Sequence, residues 1–422
     1  MPADLDALLD LRMTASGPQD SSGFAPLGWA AFLGVSWTWC IGMYLPILMV
    51  RDLGLAGYLV FAIPNVLGAA AMGWVLRSPE SSVRLTTQHA PACRAFSIIT
   101  NSYHAFWASW LLAFAAMQMD VPGWAWSLLL VAGVWTAAAR LLVSHGSTAR
   151  LASLLTLAVS LVVLLIWLTG TADVEPTLRD TLDARPFSSD AIWMLPVSTL
   201  GFMLCPYLDL TFNRARQACD TPGRSRIAFG VGFGVCFALM IVLTLLYAGP
   251  LVTLVDGDPE GGMTVPVLLA AALGVHVAMQ LGFTVAAHCR ETDRAGGATK
   301  GSHSIASWAS VGLGIALAGL SDQRWFDMAP GEVGYRVFLS FYGLVFPAYV
   351  WINVINIRGR SMRRVTSRSL GVTLAAIAVA YPFYFVGFML REEPWLIPGV
   401  AVVILAKLWA GPDRGAHLER FG

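Results

Sequence analysis

The residues able to do chemistry in this chain are few, and they lie inside apolar stretches. Asp209 closes the run Gly201-Phe202-Met203-Leu204-Cys205-Pro206-Tyr207-Leu208-Asp209, within the apolar residues 191–213. Glycine exposes backbone, proline removes a donor and clashes with the carbonyl four residues back, and a carboxylate is costly at membrane depth. Residues 27–50 repeat the construction at Trp37-Thr38-Trp39-Cys40-Ile41-Gly42-Met43-Tyr44-Leu45-Pro46. Unwound backbone at such breaks offers carbonyls to a cation and helix amino ends to a carboxylate, which makes Gly42 and Gly201 candidate binding positions. Asp209 suits a proton carrier or a cation ligand. Its other readings are a cap on a half-helix beginning near Pro206 and an ion partner of Arg214 or Arg216.

Two further pairs stand one helical turn apart. Asn101 and His104 share a face, and His104 either relays a proton near neutral pH or serves as a hydrogen-bond partner. Gln280 and Thr284 offer oxygens to a hard cation or bond to a neighbouring helix. Trp39, Tyr44, Phe202 and Tyr207 cluster around the two breaks, where they suit a neutral, partly apolar solute or simple packing. The expected substrate-binding set is Trp39, Gly42, Tyr44, Asn101, His104, Gly201, Phe202 and Tyr207. The expected ion-coupling set is Thr38, Asp209, Gln280 and Thr284.

The elements that must position these residues are membrane helices. Hydrophobic residues make up 56% of the chain, charged residues 13%, and the mean hydropathy is +0.64. Soluble proteins average about 25% charged. Apolar runs of spanning length occur near 27–50, 53–76, 95–117, 122–143, 150–170, 191–213, 227–254, 264–288, 303–320, 335–356, 369–390 and 394–411. Lys and Arg concentrate in alternate loops, which predicts twelve spans with both termini cytoplasmic. Only Arg51, Arg179, Arg185, Arg324, Arg336 and Arg391 fall outside on that assignment. Asp209 is then the one carboxylate at membrane depth.

The expected organisation is an N-terminal tail (1–23), spans 1–5 (24–170), an external loop (171–190), spans 6–10 (191–356), spans 11 and 12 (357–411) and a C-terminal tail (412–422). Residues 1–16 suit a mobile tail or a short amphipathic surface turn. No cysteine falls in an external loop, so no disulfide framework is expected. Nor is there a nucleotide-binding loop, a dinucleotide fingerprint or a zinc spacing. The expectation is a non-enzyme without cofactor beyond a coupling Na⁺ or H⁺, driven by a gradient. Its partners are a small-molecule solute and the lipid bilayer, with no nucleic acid, and its place is a plasma (inner) membrane.

Twelve spans with the first and sixth interrupted resemble the leucine-transporter fold, whose five helices are followed by five of inverted topology and two more. The stretch Phe61-Ala62-Ile63-Pro64-Asn65-Val66-Leu67-Gly68 makes the chain most similar to the sodium:solute symporter family. The resemblance implies a cation-coupled symporter working by alternating access, carrying a small neutral or zwitterionic organic solute. Sodium-coupled members place hydroxyls in the inner half of span 8. Here Thr284 is the only one. A membrane sensor or scaffold that keeps the fold without moving solute is the alternative.

Overall fold

The computed structural model describes residues 25–118, 124–143, 146–170, 173–184, 187–256, 265–295, 300–356 and 363–411. The expected surface turn in residues 1–16 and the tail 412–422 lie outside them. The described residues form helices and no strand, and an isolated bridge joins Trp325 to Met328.

In chain order the helices are α1 (Ala25–Trp37), α2 (Cys40–Val75), α3 (Pro79–Gln88), α4 (Ala90–Gln118), α5 (Trp124–Leu142), α6 (Gly146–Gly170), α7 (Leu178–Asp183) and α8 (Ala191–Leu204). They continue with α9 (Leu210–Ala218), α10 (Pro222–Leu246), α11 (Ala248–Asp256), α12 (Val267–Arg294), α13 (Lys300–Ala318), α14 (Pro330–Val354), α15 (Ser367–Met389) and α16 (Leu396–Ala406). Among the described residues six helices are long and apolar enough to cross a membrane, and the bent pair of α8 and α9 makes a seventh.

Helix α2 has 36 residues. At 1.5 Å per residue it would reach about 54 Å, well beyond a hydrocarbon core of about 30 Å. Gly54 interrupts it with φ 64° and ψ −156°, a conformation that L side chains avoid. The first and second apolar runs are thus joined by a sharp bend at Gly54. Helix α3, capped by Ser78, occupies the segment read from the sequence as a loop after Leu76.

Two packing groups position the site. Helices α1 and α2 pack on α10, and α2 also lies along α8. Helix α13 runs along α4, while α12 contacts α4, α5 and α6 and also reaches α1 and α9. Small residues permit the closest approaches: a Cβ on Gly34 of α1 would lie 2.6 Å from the Cys236 Cβ of α10.

Candidate functional site

The first interruption lies at Thr38 and Trp39, between α1 and α2. Trp39 is extended (φ −84°, ψ 177°), so the amide of Cys40 opens α2 without an intrahelical acceptor. His104 supplies it: Cys40 N–H donates to Nε2 at 3.3 Å, and Nδ1–H donates to the Thr100 carbonyl at 2.7 Å. Both ring nitrogens are engaged in the neutral tautomer, and the imidazole caps a helix end. Thr38 Oγ1 turns back to the Gly34 carbonyl at 2.8 Å.

Gly42 and Pro46 were expected to mark this break, yet both lie inside α2. Pro46 cannot donate to the carbonyl of Gly42, four residues back. Thr244 of α10 replaces the missing donor, its hydroxyl bonding to Gly42 O at 2.9 Å, and Tyr247 Oη donates to Met43 O at 2.8 Å. The helix survives its proline, and the break falls earlier, at the two tryptophans.

The second interruption follows Leu204. A 3₁₀ turn (Cys205–Tyr207) leads to Asp209, and α8 and α9 meet at a bend of 56°. Gly201, expected at the break, is helical. Its role is close approach, since a Cβ there would lie 2.9 Å from the Tyr342 carbonyl of α14. The half-helix begins at Leu210 and not near Pro206. Asp209 is its N-cap, with Oδ1 accepting from Thr211 N–H and Thr211 Oγ1–H, both at 2.7 Å. Asp209 is wholly buried, and its Oδ2 has no hydrogen-bond partner among the described residues. Asn213 donates to the carbonyls of Tyr207 and Asp209, completing the turn. Arg216 points elsewhere, to the carbonyls of Leu76, Arg77 and Cys219. Thr211 Oγ1 also lies 3.2 Å from Ser36 Oγ, which ties the two interruptions together.

Between the breaks lies a narrow cavity of about 50 Å³, bordered by Trp37, Trp39, Gly42, Asn65, Gly201, Phe202, Cys205 and Tyr342. It holds water-sized molecules, whereas typical small-molecule sites measure about 300–1,000 Å³. Its walls are apolar except at a few points, and Asn65 Oδ1 accepts from Trp37 Nε1–H at 2.6 Å. Trp39 fills the centre of the bundle, in ring contact with Trp37, Phe96, His104, His288 and Tyr342.

Four members of the expected binding set (Trp39, Gly42, Gly201 and Phe202) therefore share one cavity. The others do not line it. Tyr44 packs among Trp107, Trp110 and Tyr335, Asn101 Nδ2 donates to Cys289 Sγ at 3.2 Å, and Tyr207 is buried in the 3₁₀ turn.

The ion-coupling set is also dispersed. Gln280 Nε2 donates to Ser160 Oγ of α6 at 3.0 Å, and the same oxygen sits 2.9 Å from His276 Nδ1. His276 Nε2, Gln280 Oε1 and Thr284 Oγ1 have no partner among the described residues. Ser160 was missed in the sequence, although Ser153, Thr156 and Ser160 form a polar stripe at helical spacing.

A second feature escaped sequence reading. At the arginine-poor end, Arg51 forms a bidentate pair with Glu332, both bonds at 2.7 Å, and its Nε reaches Asp52 at 2.7 Å. Arg336 closes the network onto Asp52 at 2.7 Å and Glu332 at 2.9 Å. Glu332 is 1% exposed. Burial raises the Asp52 carboxyl, but Arg336 and Arg51 more than offset it and hold Asp52 at about 2. Arg336 Nη1 also donates to the Phe388 carbonyl at 2.9 Å, and the Phe388 ring borders the cavity. The network is thus tied to the cavity wall through Phe388.

No protein-family model and no curated protein matches this sequence. Among the described residues no group of three His, Cys, Asp or Glu side chains is placed to hold a metal ion. What the arrangement offers is a narrow, mostly apolar space beside two helix interruptions, one of them carrying a buried carboxylate oxygen with spare lone pairs.

Proposed function

We propose that this chain is a cation-coupled secondary transporter of the leucine-transporter fold, most like the sodium:solute symporter family, moving a small neutral or zwitterionic organic solute by alternating access. In this reading the bend at Gly54 separates spans 1 and 2, and α4, α5 and α6 are spans 3 to 5. Helices α8 with α9, α10, α12, α13 and α14 form the inverted second set, followed by α15 and α16. The arginine-poor end faces outward, both termini are cytoplasmic, and the membrane is the plasma (inner) membrane.

The observation that carries the proposal is the meeting of two interrupted helices at one cavity, with a buried charge network tied to its wall through Phe388. Interrupted helices at a repeat interface are where secondary transporters bind solute and ion. Asp209 accepts the coupling ion, either as a proton carrier or as a cation ligand through Oδ2. The narrowness of the cavity around Trp39 is what favours the second reading, a sensor or scaffold that moves no solute.

The test is thermal stability of the purified full chain in detergent, screened over amino acids, nucleobases, sugars and organic acids, with Na⁺ against K⁺ and at two pH values. Binding to the folded state raises apparent stability by mass action. A transporter gives a shift with one solute class that depends on Na⁺ or on pH, and Asp209→Asn removes that dependence. No shift with any class, in any ion, counts against transport.

A further inference from the structure

We infer that the arginine-rich end of the bundle holds a small oxyanion of phosphate or carboxylate type, bound between α9 and α12. The inference goes beyond the transport reading and does not rest on it.

Helix α9 packs against α12, and this contact brings Arg214 together with Arg290, Glu291 and Arg294. Glu291 is 5% exposed and is the acceptor these arginines share. It receives Arg294 Nη1 at 3.3 Å, while Arg290 Nε approaches the same oxygen only to 3.5 Å, outside hydrogen-bonding geometry. Arg214 lies within electrostatic reach of Glu291, and also of Arg294 and Arg150. The neighbouring acids do not restore the balance. Asp293 acts on Arg140 and Cys289, and Asp209, though within electrostatic reach of Glu291, caps α9 through Oδ1 while its Oδ2 accepts no hydrogen bond from an arginine among the described residues.

Two guanidinium groups thus pair with one carboxylate, a third lies within electrostatic reach of it, and donors are left to spare among the described residues. Nε and Nη2 of Arg290 and Nε of Arg214 are buried without a hydrogen-bond partner among the described residues, and the Arg290 side chain is only 8% exposed. A buried charged donor left without an acceptor is expensive. Loop arginines explain the charge count at this end, but not why donors on two facing helices are buried and unused. The complement of such a surplus is an anion. The planar fork of arginine suits an oxyanion able to accept several bonds at once better than it suits a spherical halide. The bound group would bridge α9 to α12 and so fix the half-helix that follows the Asp209 turn.

The experiment titrates inorganic phosphate into the purified full chain in neutral detergent, with potassium chloride at matched ionic strength as reference, and reads Tm. A parallel arm compares phosphatidylglycerol with phosphatidylcholine, which separates a free anion from a lipid headgroup. We expect a saturable rise of at least about 2 °C with phosphate, or with the anionic lipid if the headgroup is the source, and none with chloride. Arg290→Gln and Arg214→Gln, on opposite helices, each lose most of that rise. Arg224→Gln, at the exposed pair with Asp220, keeps it. A rise of equal size in wild type and both variants, or no saturable rise with either phosphate source, overturns the inference.

Discussion

The two ends of this bundle use the same residues in opposite balance. At the arginine-poor end Arg51 and Arg336 meet Asp52 and Glu332, so that each charge has a partner of opposite sign at 2.7–2.9 Å. At the arginine-rich end Arg290 and Arg294 pair with Glu291, Arg214 lies within electrostatic reach of it, and three of these guanidinium donors have no hydrogen-bond partner among the described residues. Buried ions persist only where partners offset the desolvation cost. The balanced end is therefore complete as a closure of the protein alone, whereas the surplus end calls for something else. Removing a charge should have opposite consequences at the two ends.

The largest effect is expected from Glu332→Gln. It leaves two buried arginines sharing Asp52, and breaking such a pair typically costs about 3–5 kcal/mol. A marked fall in Tm relative to wild type checks it, and an unchanged Tm would mean that the network is not what closes this end.

Next in size is the pH dependence of Asp52. Its folded value of about 2 lies below the ordinary 3.8, so its ionised form contributes stability above that ordinary value. The contribution fades as the pH falls toward 2. The Tm difference between wild type and Asp52→Asn should stay constant from neutral pH to about pH 5 and shrink below about pH 4. A difference that shrinks near neutral pH would contradict the assignment.

The smallest effect belongs to the other end. In chloride buffer Arg290→Gln should change stability by less than about 0.5 kcal/mol, or raise it, because it relieves repulsion and removes an unpaired donor. A loss as large as that of Glu332→Gln would erase the contrast between the two ends.

Much of the helical layout was legible because spanning length and hydropathy are local properties. The run near 369–390 appears as α15 (Ser367–Met389), and the run near 150–170 as α6 (Gly146–Gly170). Interruptions were legible only to within a few residues. Glycine and proline signal a weakened helix, but whether it parts there depends on neighbours, as the Thr244 hydroxyl shows by holding Gly42 beside Pro46. The capping reading of Asp209 rested on its closeness to Asn213 and put the start of the half-helix near Pro206, whereas the helix begins at Leu210. The charge network was out of reach for a different reason: Arg51 and Glu332 are 281 residues apart. The adjacent Arg51 and Asp52, and the one-turn spacing of Glu332 and Arg336, were its only local signs.

Cys205 offers the most direct test of alternating access, because it borders the cavity and needs no knowledge of the solute. A small charged thiol reagent would be applied to right-side-out and inside-out vesicles, and modification of Cys205 followed by peptide mass spectrometry. We expect modification from both faces, with Glu332→Gln speeding the reaction from the arginine-poor face. Modification from one face alone, unaffected by Glu332→Gln, would contradict that expectation.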